Sequence, residues 1–323
     1  MVQRTERVRV VRSKSMFLSS YGTIIALFIV FVAFSLLSPG VFPTLRNLLN
    51  ITRQISLLAI IATGATIIMT VGEFDLSIGA MASFGGVLAT GLVVSGMAIP
   101  LAILLTLFFA FLFGLGNGYL VTRFGVFSFI ATLSSGTMLS GLTFWYTGGA
   151  TIFGGIPEPF LWLGQGMLGP LPVPTLLMFL VVALFWFLLS YTEFGRRLYA
   201  IGGNPVAAEL SGVRVARDKT FAFGYTALLA ASAGVILASR LGSAHPTAGG
   251  SLFLPSYAAV FLGMTTVRGG FPNAWGTFLG SLMIGIIANG LTILNVPFYL
   301  QDIVTGAIVI MAVVFQSLGK IAL

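Results

Sequence analysis

After a basic N-terminal segment of eighteen residues, this chain contains only one sizeable polar interruption, YTEFGRRLYAIGGNPVAAELSGVRVARDK at residues 191–219; most of the rest is long apolar runs. That pattern admits few folds. Backbone polar groups in hydrocarbon must be satisfied within the protein, so only helices and closed barrels cross a bilayer. Apolar runs of about 17–25 residues match helical passage through a roughly 30 Å core. A barrel would need short segments of alternating polarity, and none is sustained. Only 7% of the 323 residues are charged and mean hydropathy is +1.05, whereas soluble domains run near 25% charged. The chain reads as an all-α polytopic membrane protein.

Ten spans are expected, at about 19–37, 54–71, 77–95, 97–120, 126–146, 173–190, 219–239, 256–268, 275–293 and 299–317. The eighth is short, which predicts a tilt or a break around Gly263. With the N-terminus inside, Arg4, Arg7, Arg9, Arg12, Lys14, Arg123, Arg196, Arg197, Arg214, Arg217, Lys219, Arg268 and Lys320 are cytoplasmic, and only Arg46, Arg53 and Arg240 lie outside. This asymmetry is the positive-inside bias, and it puts both termini in the cytoplasm. Eight or nine spans would require other charge assignments at the C-terminal end. The bias also accounts for the net charge of +8 without nucleic acid. Residues 1–18 read as a basic cytoplasmic segment and 19–320 as the membrane domain. The first span lacks a small-residue cleavage site and reads as a retained helix. The absence of cysteine excludes disulfide and thiol chemistry.

Polar features inside the apolar runs are few. In TVGEFDLSIGA, residues 70–80, Glu73 and Asp75 separate two apolar segments, where a carboxylate needs a partner, water or a structural use. Asp75 is expected to cap the following helix, with Gly72 and Gly79 permitting a break and close packing. A substrate-binding or proton-carrying role is the alternative, although no intramembrane histidine or second acid outlines a relay. Glu73 is assigned to the interface. Gly114 with Gly118, and Ser281 with Gly285, are small pairs at helical spacing that suit close helix packing. Asn117 and Asn289 are expected either to bond across helices or to line a polar path. His245 is the sole histidine, in a turn-rich outer loop at 240–255, and lacks the neighbours a metal site requires. The longest outer loop, 147–172, is a connector or a docking surface for an external partner, with Phe160, Leu161 and Trp162 at the membrane interface.

In the interruption, Gly202, Gly203, Asn204 and Pro205 predict a turn, with Asn204 as N-cap and Pro205 at the first helical position. Val206 through Leu210 then form a short helix stopped by Gly212. Val206, Ala207 and Leu210 offer a small apolar face suited to a groove in a partner. The chain has neither a phosphate-cradling GxxxxGK[ST] motif nor HExxH, so any ATP hydrolysis belongs to another subunit. The clustered serine, histidine and acid of an intramembrane hydrolase are also missing.

These motifs resemble the permease subunits of ribose-type bacterial sugar ABC importers, a family that also serves other monosaccharides and autoinducer-2. Three regions carry the likeness. Gly72-Glu-Phe-Asp75-Leu-Ser77-Ile-Gly79 is similar to the family's Gly-Gly-Ile-Asp-Leu-Ser-Val-Gly. Residues 192–208, with Ser211, Gly212 and Val213, match its cytoplasmic motif. Ala230, Gly234, Ser239, Arg240, Pro246 and Gly249 lead into the C-terminal glycine-rich spans. The resemblance covers about residues 20–318. It implies a type II-like permease in which residues 192–218 form a coupling segment that docks on an ATPase through Gly202, Gly203, Asn204, Pro205, Ala207, Ala208, Leu210 and Gly212. Glu73, Asp75, Ser77 and Gly79 would belong to a turn beside the translocation path. Two residues depart from the pattern: Glu73 stands where the family has glycine, and Pro272 follows Gly269-Gly270-Phe271 where another glycine is usual.

The implied activity is import of a monosaccharide or small polyol across the bacterial inner membrane. The implied partners are cytoplasmic ABC ATPase subunits or a tandem ATPase, a periplasmic or lipid-anchored binding protein, and a second permease copy or sister permease. MgATP is bound by the ATPase, and this chain binds no cofactor. The competing reading is a secondary transporter or channel for a small polar solute, which would need a membrane-embedded ion site or no energy source. The particular sugar leaves no readable code in apolar walls.

Overall fold

The computed structural model describes residues 23–265 and 270–321. The basic segment at 1–18 and Arg268 lie outside those residues. Among the described residues, ten helices overlap the ten expected segments: α1 (Thr23–Leu37), α2 (Leu45–Thr70), α3 (Ile78–Val94), α4 (Ile99–Phe124), α5 (Ser128–Thr147), then α7 (Val173–Tyr191), α10 (Val215–Leu241), α11 (Gly250–Met264), α12 (Ala274–Ile293) and α13 (Phe298–Ile321). Between them lie three short helices, α6 (Glu158–Gln165), α8 (Glu193–Gly203) and α9 (Pro205–Leu210). Among the described residues, five helices, α2, α4, α7, α10 and α12, are long and apolar enough to cross a membrane. The chain is therefore an all-α polytopic membrane protein. Helices α1, α3, α11 and the Phe298–Ala312 part of α13 are apolar but shorter.

Helices α2 and α10 form the centre. In α2, 83% of the most apolar stretch is buried within the protein, against 22% for the peripheral α4. An apolar helix gains little from choosing protein over lipid, so close backbone approach and interhelical hydrogen bonds must hold the bundle. Both are present. A side chain on Gly85 or Gly86 of α3 would strike the backbone of α10 at Ala231 or Gly234, and one on Gly114 or Gly118 of α4 would strike α10 at Phe223 or Thr220. Asn289 of α12 and Asn47 of α2 exchange side-chain hydrogen bonds at 2.9 and 3.1 Å. Thr66 and Thr277 join the same two helices at 2.6 Å. Such bonds average about 0.6 kcal/mol in membrane proteins, so the fold rests on many small terms. Ser281 is buried beside them, its hydroxyl donating to the Thr277 carbonyl, while Gly285 lies against Ile55.

Several expected boundaries shift. Helix α2 starts at Leu45 because the Thr44 hydroxyl accepts from the Asn47 amide and fixes an earlier cap. Helix α10 begins at Val215 and takes in the end of the polar interruption. Helix α11 begins at Gly250 and runs through Pro255, so part of the outer loop expected at 240–255 is helical. Gly263 is not a break: it stays helical and lets α11 approach the backbone of α12 at Gly276.

The segment 147–172 is more ordered than a connector requires. Strand β1 (Ile152–Phe153) pairs antiparallel with β4 (Ser243–Ala244), and β2 (Met167–Leu168) with β3 (Leu171–Pro172). Phe160 is fully buried rather than interfacial, because Phe160 and Gly164 share the face of α6 that meets the end of α10. Gly164 donates to the Ser239 hydroxyl at 2.7 Å, and that hydroxyl donates to the Phe160 carbonyl at 2.7 Å. Trp162 keeps an exposed face.

Candidate functional site

The polar interruption folds as two helices with opposite surroundings. Helix α8 begins where the Thr192 hydroxyl accepts from the Gly195 amide at 3.2 Å, and its residues Gly195, Leu198 and Ile201 turn inward. It continues through Gly203, so Gly202 and Gly203 are helical rather than part of a turn. Asn204 is the junction. Its Oδ1 accepts from the Ala207 amide at 3.0 Å, and Pro205 takes the first position of α9. The helix ends at Leu210, and Gly212 provides the left-handed backbone (φ 84°) that turns the chain back toward α10.

Helix α9 buries Ala208 and presents the rest. Val206 is 65% exposed and Leu210 86%, and Ala207 is exposed beside them. Both large apolar side chains thus project from a segment too polar to lie in hydrocarbon.

Helix α8 is anchored instead. A methyl group built on Gly202 would run into the carbonyl oxygen of Thr70, the last residue of α2. The Arg197 Nε donates to Asp218 Oδ2 at 2.8 Å, and Arg217 meets the other oxygen of the same buried carboxylate at 3.0 Å. The Tyr199 hydroxyl donates to the Pro272 carbonyl at 2.8 Å. Arg197 also lies 3.5 Å from Glu193, an exposed pair of little energetic weight.

Beneath α8 lies the break between α2 and α3. Gly72 adopts φ 79°, a conformation that a side chain would resist, and ends α2. Asp75 is fully buried, but it does not cap α3 as expected. Ser77 occupies the cap position, and Asp75 Oδ1 accepts from the Ser77 amide at 2.8 Å and its hydroxyl at 2.5 Å, while Oδ2 has no partner. The Asp75 amide donates to the Tyr257 oxygen at 2.9 Å, and the Tyr257 hydroxyl donates to the Asp75 carbonyl at 2.8 Å. The Leu76 amide donates to Thr132 of α5 at 2.9 Å. Asn117 of α4 approaches Ser77 Oγ at 3.4 Å, a helix-to-break contact. Gly79 faces the start of α11. Glu73 has a partner: Lys219 Nζ lies 2.5 Å from its Oε1.

The interruption and the TVGEFDLSIGA segment, distant in sequence, are therefore one site. Glu73 and Pro272, the two departures from the family pattern, both bond to its surroundings. The sequence reading missed Lys219, Tyr199, Tyr257 and the Asp218 cluster. A lone acid among basic residues at 214–219 and a tyrosine in an apolar run were the available signals. Asn289 lies apart from the site, paired with Asn47. Among the described residues, no cluster of histidine and acids is arranged to hold a metal.

A family profile described as branched-chain amino acid transport system / permease component matches residues 47–313. The ribose import permease protein of Bacillus subtilis (strain 168) is 41% identical, covering 91% of this chain and 92% of its own length. The corresponding Escherichia coli (strain K12) ribose permease is 37% identical over 91% and 92%. The xylose transport system permease protein of Escherichia coli (strain K12) is 31% identical over 95% and 94%. No solved structure matches the chain. A match across most of the membrane domain, with relatives covered almost end to end, shows that this chain belongs to the family of transport-system permease components.

Proposed function

We propose that the chain is the membrane subunit of an ATP-driven importer that moves a monosaccharide or related small polyol across the bacterial inner membrane. The observation that carries the coupling part is α9: an apolar tip, Val206 and Leu210, left exposed on a short helix whose neighbour α8 is packed against the end of α2. An exposed apolar helix face on a rigid base suits the groove of a partner. In this reading α9 seats on a cytoplasmic ATPase, which binds and hydrolyses MgATP. Nucleotide-driven closure of two such ATPase domains moves the segment and favours one state of the path over the other, since a partner shifts an equilibrium only through its differential affinity for the two states.

Ten spans with both termini cytoplasmic complete the topology, and the ordered 147–172 region forms the outer face on which a binding protein delivers solute. A second permease copy or a sister subunit closes the path. Helix α5 supports that pairing. Its Ser134, Thr137 and Gly141 share one exposed face at helical spacing, a surface better suited to protein or a water-lined path than to lipid. The relatives' names, a ribose import permease and a xylose transport permease, support a pentose or similar sugar as the solute.

Affinity purification from the native host in mild detergent, with the co-purifying proteins identified, tests this reading. An ATPase recovered with the parent chain and lost with Val206→Asp/Leu210→Asp supports it. Repeated recovery of intact chain without an ATPase, under conditions that preserve a known ABC complex, counts against it. The unpartnered Asp75 oxygen is the feature an ion-coupled carrier would use. Sodium- or proton-driven uptake by the purified chain alone would favour that alternative.

A further inference from the structure

Gly202 against the Thr70 carbonyl is a steric contact: it transmits a push from α8 into the end of α2, but nothing in it resists separation. A reversible cycle needs a connection that also pulls. Two ion pairs in series supply one. Arg197 of α8 holds Asp218, and the next residue, Lys219, holds Glu73 within the break. The Lys219 and Glu73 side chains are only 17% and 18% exposed, so solvent and salt weaken their attraction less than at an open surface. Three residues after Glu73, Leu76 is bonded to Thr132 of α5.

We propose that Glu73 and Lys219 are positioning residues that transmit the withdrawal stroke of α8 through the α2–α3 break to α5. The proposal rests on the ATPase-coupled reading above. It assigns a use to Glu73, which stands where the family pattern has a glycine that could not make this bond.

The chain has no cysteine, so Thr137→Cys on the exposed face of α5 is a clean reporter. In the complex purified with its ATPase, maleimide labelling is measured without nucleotide and after trapping with MgATP and vanadate. The parent complex is expected to show a nucleotide-dependent change in labelling rate. Glu73→Gln or Lys219→Gln should diminish that ratio by about 5-fold, the lower range of allosteric coupling factors, while ATP hydrolysis persists. The reversed pair Glu73→Lys/Lys219→Glu should restore it, which a loss of stability alone would not do. Single variants that keep the parental ratio overturn the proposal, as does a reversed pair no better than the singles, or a parent complex whose α5 does not respond. If a neutralised variant fails to assemble, Glu73→Asp must still lower the ratio, and an unchanged value overturns the proposal. Failure of the parent chain to retain any ATPase sinks the underlying reading as well, and is distinguished because it appears before labelling begins.

Discussion

Helices α8 and α9 adjoin in sequence and share one polar interruption, yet they meet opposite surroundings. Helix α8 is bound to α2 by close approach, to α10 through Asp218 and to the turn before α12 through Tyr199. Helix α9 buries one small residue and exposes two large apolar ones. The difference separates transmission from attachment: a root must be rigid and internally satisfied, whereas a tip must leave apolar surface uncovered until a partner arrives.

Substitutions that damage the root without touching the tip test this division most severely. Gly202→Leu should destabilise the detergent-solubilised chain by about 3 kcal/mol, the upper end of overpacking costs. A thermal midpoint close to the parent's would show that α8 does not rest on α2. Asp218→Ala removes the acid shared by two arginines and should cost about 1–2 kcal/mol, discounted because both arginines can turn to water. Chemical unfolding measures it, and a neutral result would confine the anchor to steric contact. At the junction, Asn204→Ala loses the cap of α9 and should cost about 1 kcal/mol locally. Faster amide exchange at Ala207 and Ala208, with α8 unchanged, is the expected signature. Smallest in stability is Val206→Asp/Leu210→Asp, within about 0.5 kcal/mol of the parent. Its expected effect is on ATPase retention in pull-down, and destabilisation as large as that of Gly202→Leu would erase the distinction between root and tip.

Much of this was legible residue by residue. Asn204 as cap, Pro205 at the first turn and Gly212 after the last are local rules, and the structure places each in that role. The same rules misplaced Asp75, because the donors that could occupy its carboxylate are close in sequence but the cap position is set by where α3 begins. They extended a turn over Gly202 and Gly203, both helical, since glycine's local preference gives no sign of the tertiary contact that requires a bare Cα at Gly202. Phe160 was assigned to the membrane interface from its aromatic character, whereas the landing of α6 on α10 buries it.

The apolar runs by themselves determined a helical membrane protein, because hydrocarbon leaves the backbone no other way to satisfy its polar groups. The positions of most helices and the caps of α9 followed from interactions within a few residues. Only the tertiary structure decided that Glu73 meets Lys219, that Asn47 meets Asn289 and that the interruption rests on the α2–α3 break. Those pairings join segments far apart in the chain, and apolar helices that bury equally well against many neighbours carry no local record of which one they will meet.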